Sequence, residues 1–262
     1  GGETARSNYG AAFQIANIIT YSSFLAFALY PKLLAEKNSS DITSSIKSVL
    51  MFAIPMTAGA LALPDLYLTI LKPEYRAAWP VLMVLAVDSL VATISTFYGF
   101  VLYGFEKFDE EAKITFRQLL KSRLFIAFSL PYVHSAITIP LTYHVLTSYT
   151  FDPVGCALAV AVINSAARFA MFLILRAMVN KITKIIIPWK NIAKYVIASA
   201  IMANTLIYIT KMPQFPANPK VHQILGLTAF GGLIYITIIA LIDDYARKLT
   251  KSIWLEVKSK LQ

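Results

Sequence analysis

The stretch 79-WPVLMVLAVDSLVATISTFYGFVLY-103 carries a single charge, Asp88, in twenty-five residues. At about 1.5 Å per residue an α-helix of this length exceeds the ~30 Å hydrocarbon core of a bilayer. The run does not alternate apolar and polar residues, so it does not fit a barrel strand with one wet face. Working outward, six comparable runs follow the same rule: 10–30, 48–71, 123–147, 154–179, 191–210 and 221–242. The expected fold is therefore all-α, a polytopic membrane bundle of about seven transmembrane helices. Composition agrees. Of 262 residues 57% are hydrophobic and only 15% charged, and the mean hydropathy is +0.62, outside the balance of an ordinary soluble domain.

The same reading excludes several function classes. One cysteine, Cys156, cannot form an intrachain disulfide, and no Cys/His spacing resembles a zinc site. No nucleophile–base arrangement, Gly-rich phosphate loop or nucleotide-binding motif is visible, so neither an enzyme nor a bound cofactor or metal is expected. A retinal protein would need a lysine in 221–242, and a seven-helix receptor an Asp-Arg-Tyr end on 79–103; neither is there.

The net charge of +10 could suggest nucleic acid, but its distribution points to a membrane. Assigning connections alternately to two sides puts five Lys and Arg on one side: Arg6, Lys72, Arg76, Lys211 and Lys220. The other side holds eighteen, in 32–47, 107–123, 176–194 and 247–260, with Arg168 left inside a helix. The positive-inside rule makes the richer side cytoplasmic, giving N-out/C-in. Within it, 181-KITKIIIPWK-190 mixes Lys with Ile and Trp189 and has no acid, the composition of a segment lying along an anionic inner leaflet. Asn38-Ser39-Ser40 is a glycan acceptor pattern on that side, so glycosylation there contradicts the orientation. An exported N-terminus without a signal sequence, on a chain beginning at Gly1, suggests further helices upstream.

Charge at membrane depth is expensive and is kept where a cavity or partner satisfies it. Asp88 shares a helical face with Ala92, Ser95 and Gly99, and Arg168 with Ala157, Ala161 and Asn164. Small and polar stripes of this kind face other helices. Counting from the outer ends places Asp88 roughly 13 Å deep and Arg168 roughly 22 Å deep, so the two are expected not to pair directly. His134 comes out level with Asp88, which makes Asp88 and His134 a candidate proton- or ion-coupling couple. Arg168, on one stripe with Asn164, suits either snorkelling toward the cytoplasmic headgroups or a water-filled cavity, and Gln14, Asn17 and Tyr21 on one face of 10–30 suit either a hydroxyl-rich ligand or hydrogen bonds between helices. Pro55, Pro64, Pro131 and Pro140 interrupt their helices, a habit of transporters near a cavity.

The segment 63-LPDLYLTILKPEYRAAWPVL-82, with 102-LYGFEK-107, resembles the polysaccharide and oligosaccharide flippases of the multidrug/oligosaccharidyl-lipid/polysaccharide exporter superfamily. Looser matches, 9-YGAAFQIA-16 leading to 30-YPK-32, 153-PVGCALA-159 and 194-KYVIASAIM-202, extend the resemblance over nearly the whole chain. The resemblance implies the last seven of about fourteen helices. Residues 1–180 would be a partial C-terminal lobe, and 181–262 an interfacial segment, two trailing helices and a basic cytoplasmic tail. It also implies alternating access around a cationic cavity, with a lipid-linked oligosaccharide on polyprenyl phosphate or pyrophosphate as substrate and Arg168 on the phosphate. The alternatives are a cation-coupled multidrug antiporter, using Asp88 and His134, and a non-transporting membrane scaffold. Partners implied are membrane lipids and a missing N-terminal lobe, with no nucleic acid; the location implied is the cell membrane.

Overall fold

A computed structural model describes residues 2–27, 39–105, 122–149, 151–216 and 218–249. The Tyr30-Pro-Lys32 match, Asn38 of the glycan pattern, the basic stretch 106–121 and the tail from 250 lie outside the described residues.

The described residues are mostly helical and contain no strands. The chain begins with α1 (Gly2–Asn17), which passes into a 3-10 helix, Ile18–Ala26. Next come α2 (Ser39–Ala62), the short α3 (Pro64–Thr69) and a 3-10 turn (Pro73–Ala78) leading into α4 (Trp79–Phe105). Then follow α5 (Arg123–Ser148), α6 (Pro153–Asn180), α7 (Trp189–Thr210) and α8 (Val221–Ile242). Six described segments are long and apolar enough to cross a membrane: Ser40–Ala62, Pro73–Phe105, Phe125–Ser148, Pro153–Asn180, Trp189–Thr210 and Val221–Ile242. The protein is a multi-pass helical membrane bundle.

Two expected spans change form. The run 10–30 is not one α-helix, because at Asn17 the winding tightens to 3-10. Thr20, Ser22 and Ser23 each donate a side-chain hydroxyl to the carbonyl three residues back, at 2.7 Å in every case. Such local bonds compete with the α-helical ladder. The run 48–71 starts nine residues earlier than expected and breaks at Leu63, where Pro64 opens α3. Pro55, Pro131 and Pro140, by contrast, sit within continuous helices.

Helix starts obey local chemistry. Ser122 accepts the Phe125 amide at 3.0 Å and so caps α5. Asp152 accepts the amides of Val154 and Gly155 ahead of Pro153, capping α6.

The packing has two centres. At one end α1, α4 and α6 meet through small residues, Ala11, Ala12, Ala16, Ala157 and Ala161, all buried. Small side chains let helix backbones approach closely, the usual device where lipid offers no hydrophobic drive. The larger core joins α2, α4, α7 and α8 around Phe97, Tyr98, Tyr195, Met202, Leu206 and Tyr235. Gly231 of α8 is pressed against α7, where an added Cβ would stand 2.9 Å from a Leu206 methyl. α5 lies at the edge, packed mainly on α6, with Tyr132 79% and Tyr143 73% exposed.

Side-chain bonds fix which helix ends belong together. Tyr245, just past α8, bonds Ser48 Oγ at 2.6 Å and donates to the Ser44 carbonyl at 3.1 Å. The Lys47 ammonium lies 5.6 Å from the same ring. At the opposite end Thr228 of α8 donates to the Tyr67 hydroxyl of α3 at 3.2 Å. α2 and α8 therefore run antiparallel.

Candidate functional site

Asp88 and Arg168 form an ion pair, which corrects the expectation that depth keeps them apart. Arg168 Nε donates to both carboxylate oxygens, at 2.8 Å to Oδ1 and 3.0 Å to Oδ2. The error lay in taking Trp79 as the outer end of its helix. The 3-10 turn Pro73–Ala78 runs into α4 as one span; at about 2 Å per residue it adds about 12 Å and brings Asp88 level with Arg168. Side chains also lean toward the N-terminus of their helix, and the long arginine leans further than the short aspartate.

The site is unequally satisfied. The Asp88 side chain is only 7% exposed, that of Arg168 37%. Among the described residues neither Nη group of Arg168 makes a hydrogen bond, so four of the five guanidinium N–H donors stay open. Ser165, one turn before Arg168, buries its Oγ beside Asp88 without a well-directed hydrogen bond. A cleft of about 580 Å³ between α4 and α6 is walled by Val87, Val91, Val162 and Phe169, and Asp88 and Ser165 supply its polar edge. Removing one partner of such a pair in an apolar setting costs about 3–5 kcal/mol, so the pair also ties α4 to α6.

The other candidates fall in different places. His134 Nε2 lies 3.3 Å from the Asn164 carbonyl; it is within electrostatic range of Asp88 but shares no hydrogen bond with it, so the direct Asp88/His134 couple does not form. The Asn164 amide is held by its own helix, donating to the Val160 carbonyl at 2.9 Å. Gln14 is exposed, Tyr21 is 56% exposed and stacked on Phe24, and the Asn17 side chain accepts from Thr20. None of these three lines the cleft beside Asp88, and neither do Arg168, His134 and Asn164; of the candidates only Asp88 does.

Tyr9 escaped the sequence reading. It is half-buried, stacks on Phe13 and stands within electrostatic range of both Asp88 and Arg168. Its i, i+7 register with the buried Ala16 was the available signal. A second buried acid was also missed. Asp243, 2% exposed, accepts from Asn191 at 2.9 Å, Lys194 at 3.2 Å and the Tyr195 hydroxyl at 3.2 Å. The spacing of Asn191, Lys194 and Tyr195 on one helical face was legible; their partner, 48 or more residues away, was not. Among the described residues no group of three or more His, Cys, Asp or Glu side chains is placed to hold a metal ion.

Comparison of the chain with protein-family models, curated proteins and solved structures gives no match.

Proposed function

We propose that the chain is part of a cell-membrane transporter that turns a lipid-linked oligosaccharide across the bilayer by alternating access, with Arg168 taking the phosphate or pyrophosphate. The observation that carries the reading is the partly exposed Arg168 side chain at membrane depth, anchored through Nε alone with both Nη groups open. A planar, permanently charged fork suits phosphate oxygens. Asp88 holds the arginine in place without using up its donors, and Asp88 itself edges a cleft with the apolar walls a lipid-borne substrate requires. The resemblance to oligosaccharide flippases points to the same substrate class.

A cation-coupled antiporter working through Asp88 and His134 has less support, because Asp88 is paired with Arg168 and His134 with a backbone carbonyl. A scaffold role has no use for open donors in the membrane.

The test is movement of a fluorescent polyprenyl-pyrophosphate oligosaccharide across vesicles containing the complete transporter. Arg168→Ala is expected to lower the rate at least tenfold. Swapping the charges, Asp88→Arg with Arg168→Asp, should restore the ion pair and the folded yield but not transport. A swapped protein that transports at the parent rate reduces the pair to a structural tie and ends the proposal.

A further inference from the structure

From Pro153 to Ile242 the chain contains no Asp or Glu. Within this acid-free stretch, α6 ends at Asn180 and α7 begins at Trp189, and both helices are membrane spans. Residues 181–188 therefore cross from one span to the next at the level where the hydrocarbon gives way to headgroups. The connection is ordered by its own backbone: the amides of Ile182 and Thr183 donate to the Val179 carbonyl at 2.9 and 3.0 Å. It then runs without helix to Pro188.

The segment has two sides. Ile182 and Ile185 pack inward on the large core. Ile186 and Trp189 turn outward, each 69% exposed. Lys181, Lys184 and Lys190 are exposed beside them, and among the described residues none of the three makes an ion pair. Lys194, one turn into α7, differs because Asp243 holds it.

We infer that 181–190 is a docking strap that selects anionic phospholipid over zwitterionic phospholipid at this end of the bundle. Charge complementarity names the occupant: three unpaired lysines with no acid on the strap to answer them. The outward Ile and Trp separate a lipid surface from a soluble polyanion, since an indole and a branched alkyl chain at headgroup depth insert where the lysines meet phosphate. The inward isoleucines keep the strap on the bundle, so the lysines are presented together rather than on a loose loop. This inference depends on the spans being membrane-embedded and not on any transport activity.

The experiment uses the full chain in bilayers, with Trp79→Phe and Trp254→Phe so that Trp189 is the sole indole. Quenching of Trp189 by brominated phosphatidylglycerol is compared with quenching by brominated phosphatidylcholine at equal mole fraction. The expected result is a marked preference for the anionic lipid that weakens with salt. Lys181→Gln, Lys184→Gln and Lys190→Gln should each lower the relative binding constant about fivefold, and the triple variant up to about a hundredfold. The same number of changes at the opposite end, Lys72→Gln, Lys211→Gln and Lys220→Gln, should leave it unchanged. Equal quenching by the two lipids, or a preference that survives the triple variant, overturns the inference.

Discussion

Asp88 and Asp243 are two buried carboxylates paired with cations that are equally exposed, at 37% each, yet the two sites are built for different ends. Around Asp243 three donors converge from α7, an amide, an ammonium and a phenol, and together they bolt the end of α8 to the start of α7. The nearby Tyr235 hydroxyl donates to the Met51 carbonyl at 2.6 Å and carries the fastening on to α2. Around Asp88 one nitrogen serves both oxygens, a serine hydroxyl lies close without a well-directed bond, and four arginine donors are left over, while Asp88 itself edges an apolar cleft. A satisfied cluster specifies structure, whereas a partly satisfied one at membrane depth costs stability, and that is why the binding proposal rests on Arg168 and not on Lys194.

The sharpest way to break this contrast is Asp243→Ala. It strands Lys194 and leaves Asn191 and Tyr195 without their acceptor, so stability should fall by about 3–5 kcal/mol, read from unfolding in detergent. A loss below about 1 kcal/mol would show that the cluster is not a bolt. Tyr195→Phe removes one hydrogen bond to the same carboxylate and should cost about 1.5–3 kcal/mol in the same assay. At the other site, Asp88→Asn combined with Arg168→Met replaces the ion pair with neutral groups of similar bulk. Exchanges of that kind are often neutral, so no loss of stability is expected, while transport by the complete protein should be lost. A loss as large as that of Asp243→Ala would make the two sites alike.

Much of the fold is legible along the chain because membrane spans are decided locally. Every backbone group in hydrocarbon must be bonded within its own helix, so length and apolarity suffice; 123–147, 154–179, 191–210 and 221–242 each match the observed helix within two residues at either end. The tightening at Asn17 was less visible, because it turns on hydroxyls of Thr20, Ser22 and Ser23 that could equally have pointed across to a neighbouring helix. Asp88 and Arg168 stood out as charges in apolar runs, but their relation did not, since axial depth depends on where the 3-10 turn before α4 joins its helix.

The sequence by itself determined that this is a polytopic helical membrane protein, where its later helices run, and which two charges within them need explaining. Only the tertiary structure decided that those charges meet, that His134 serves a carbonyl and not Asp88, and that Asp243 gathers three donors from α7. Hydrophobic periodicity is a property of one helix at a time, whereas an ion pair 80 residues apart in the chain depends on the relative height and rotation of two helices, which no single segment encodes.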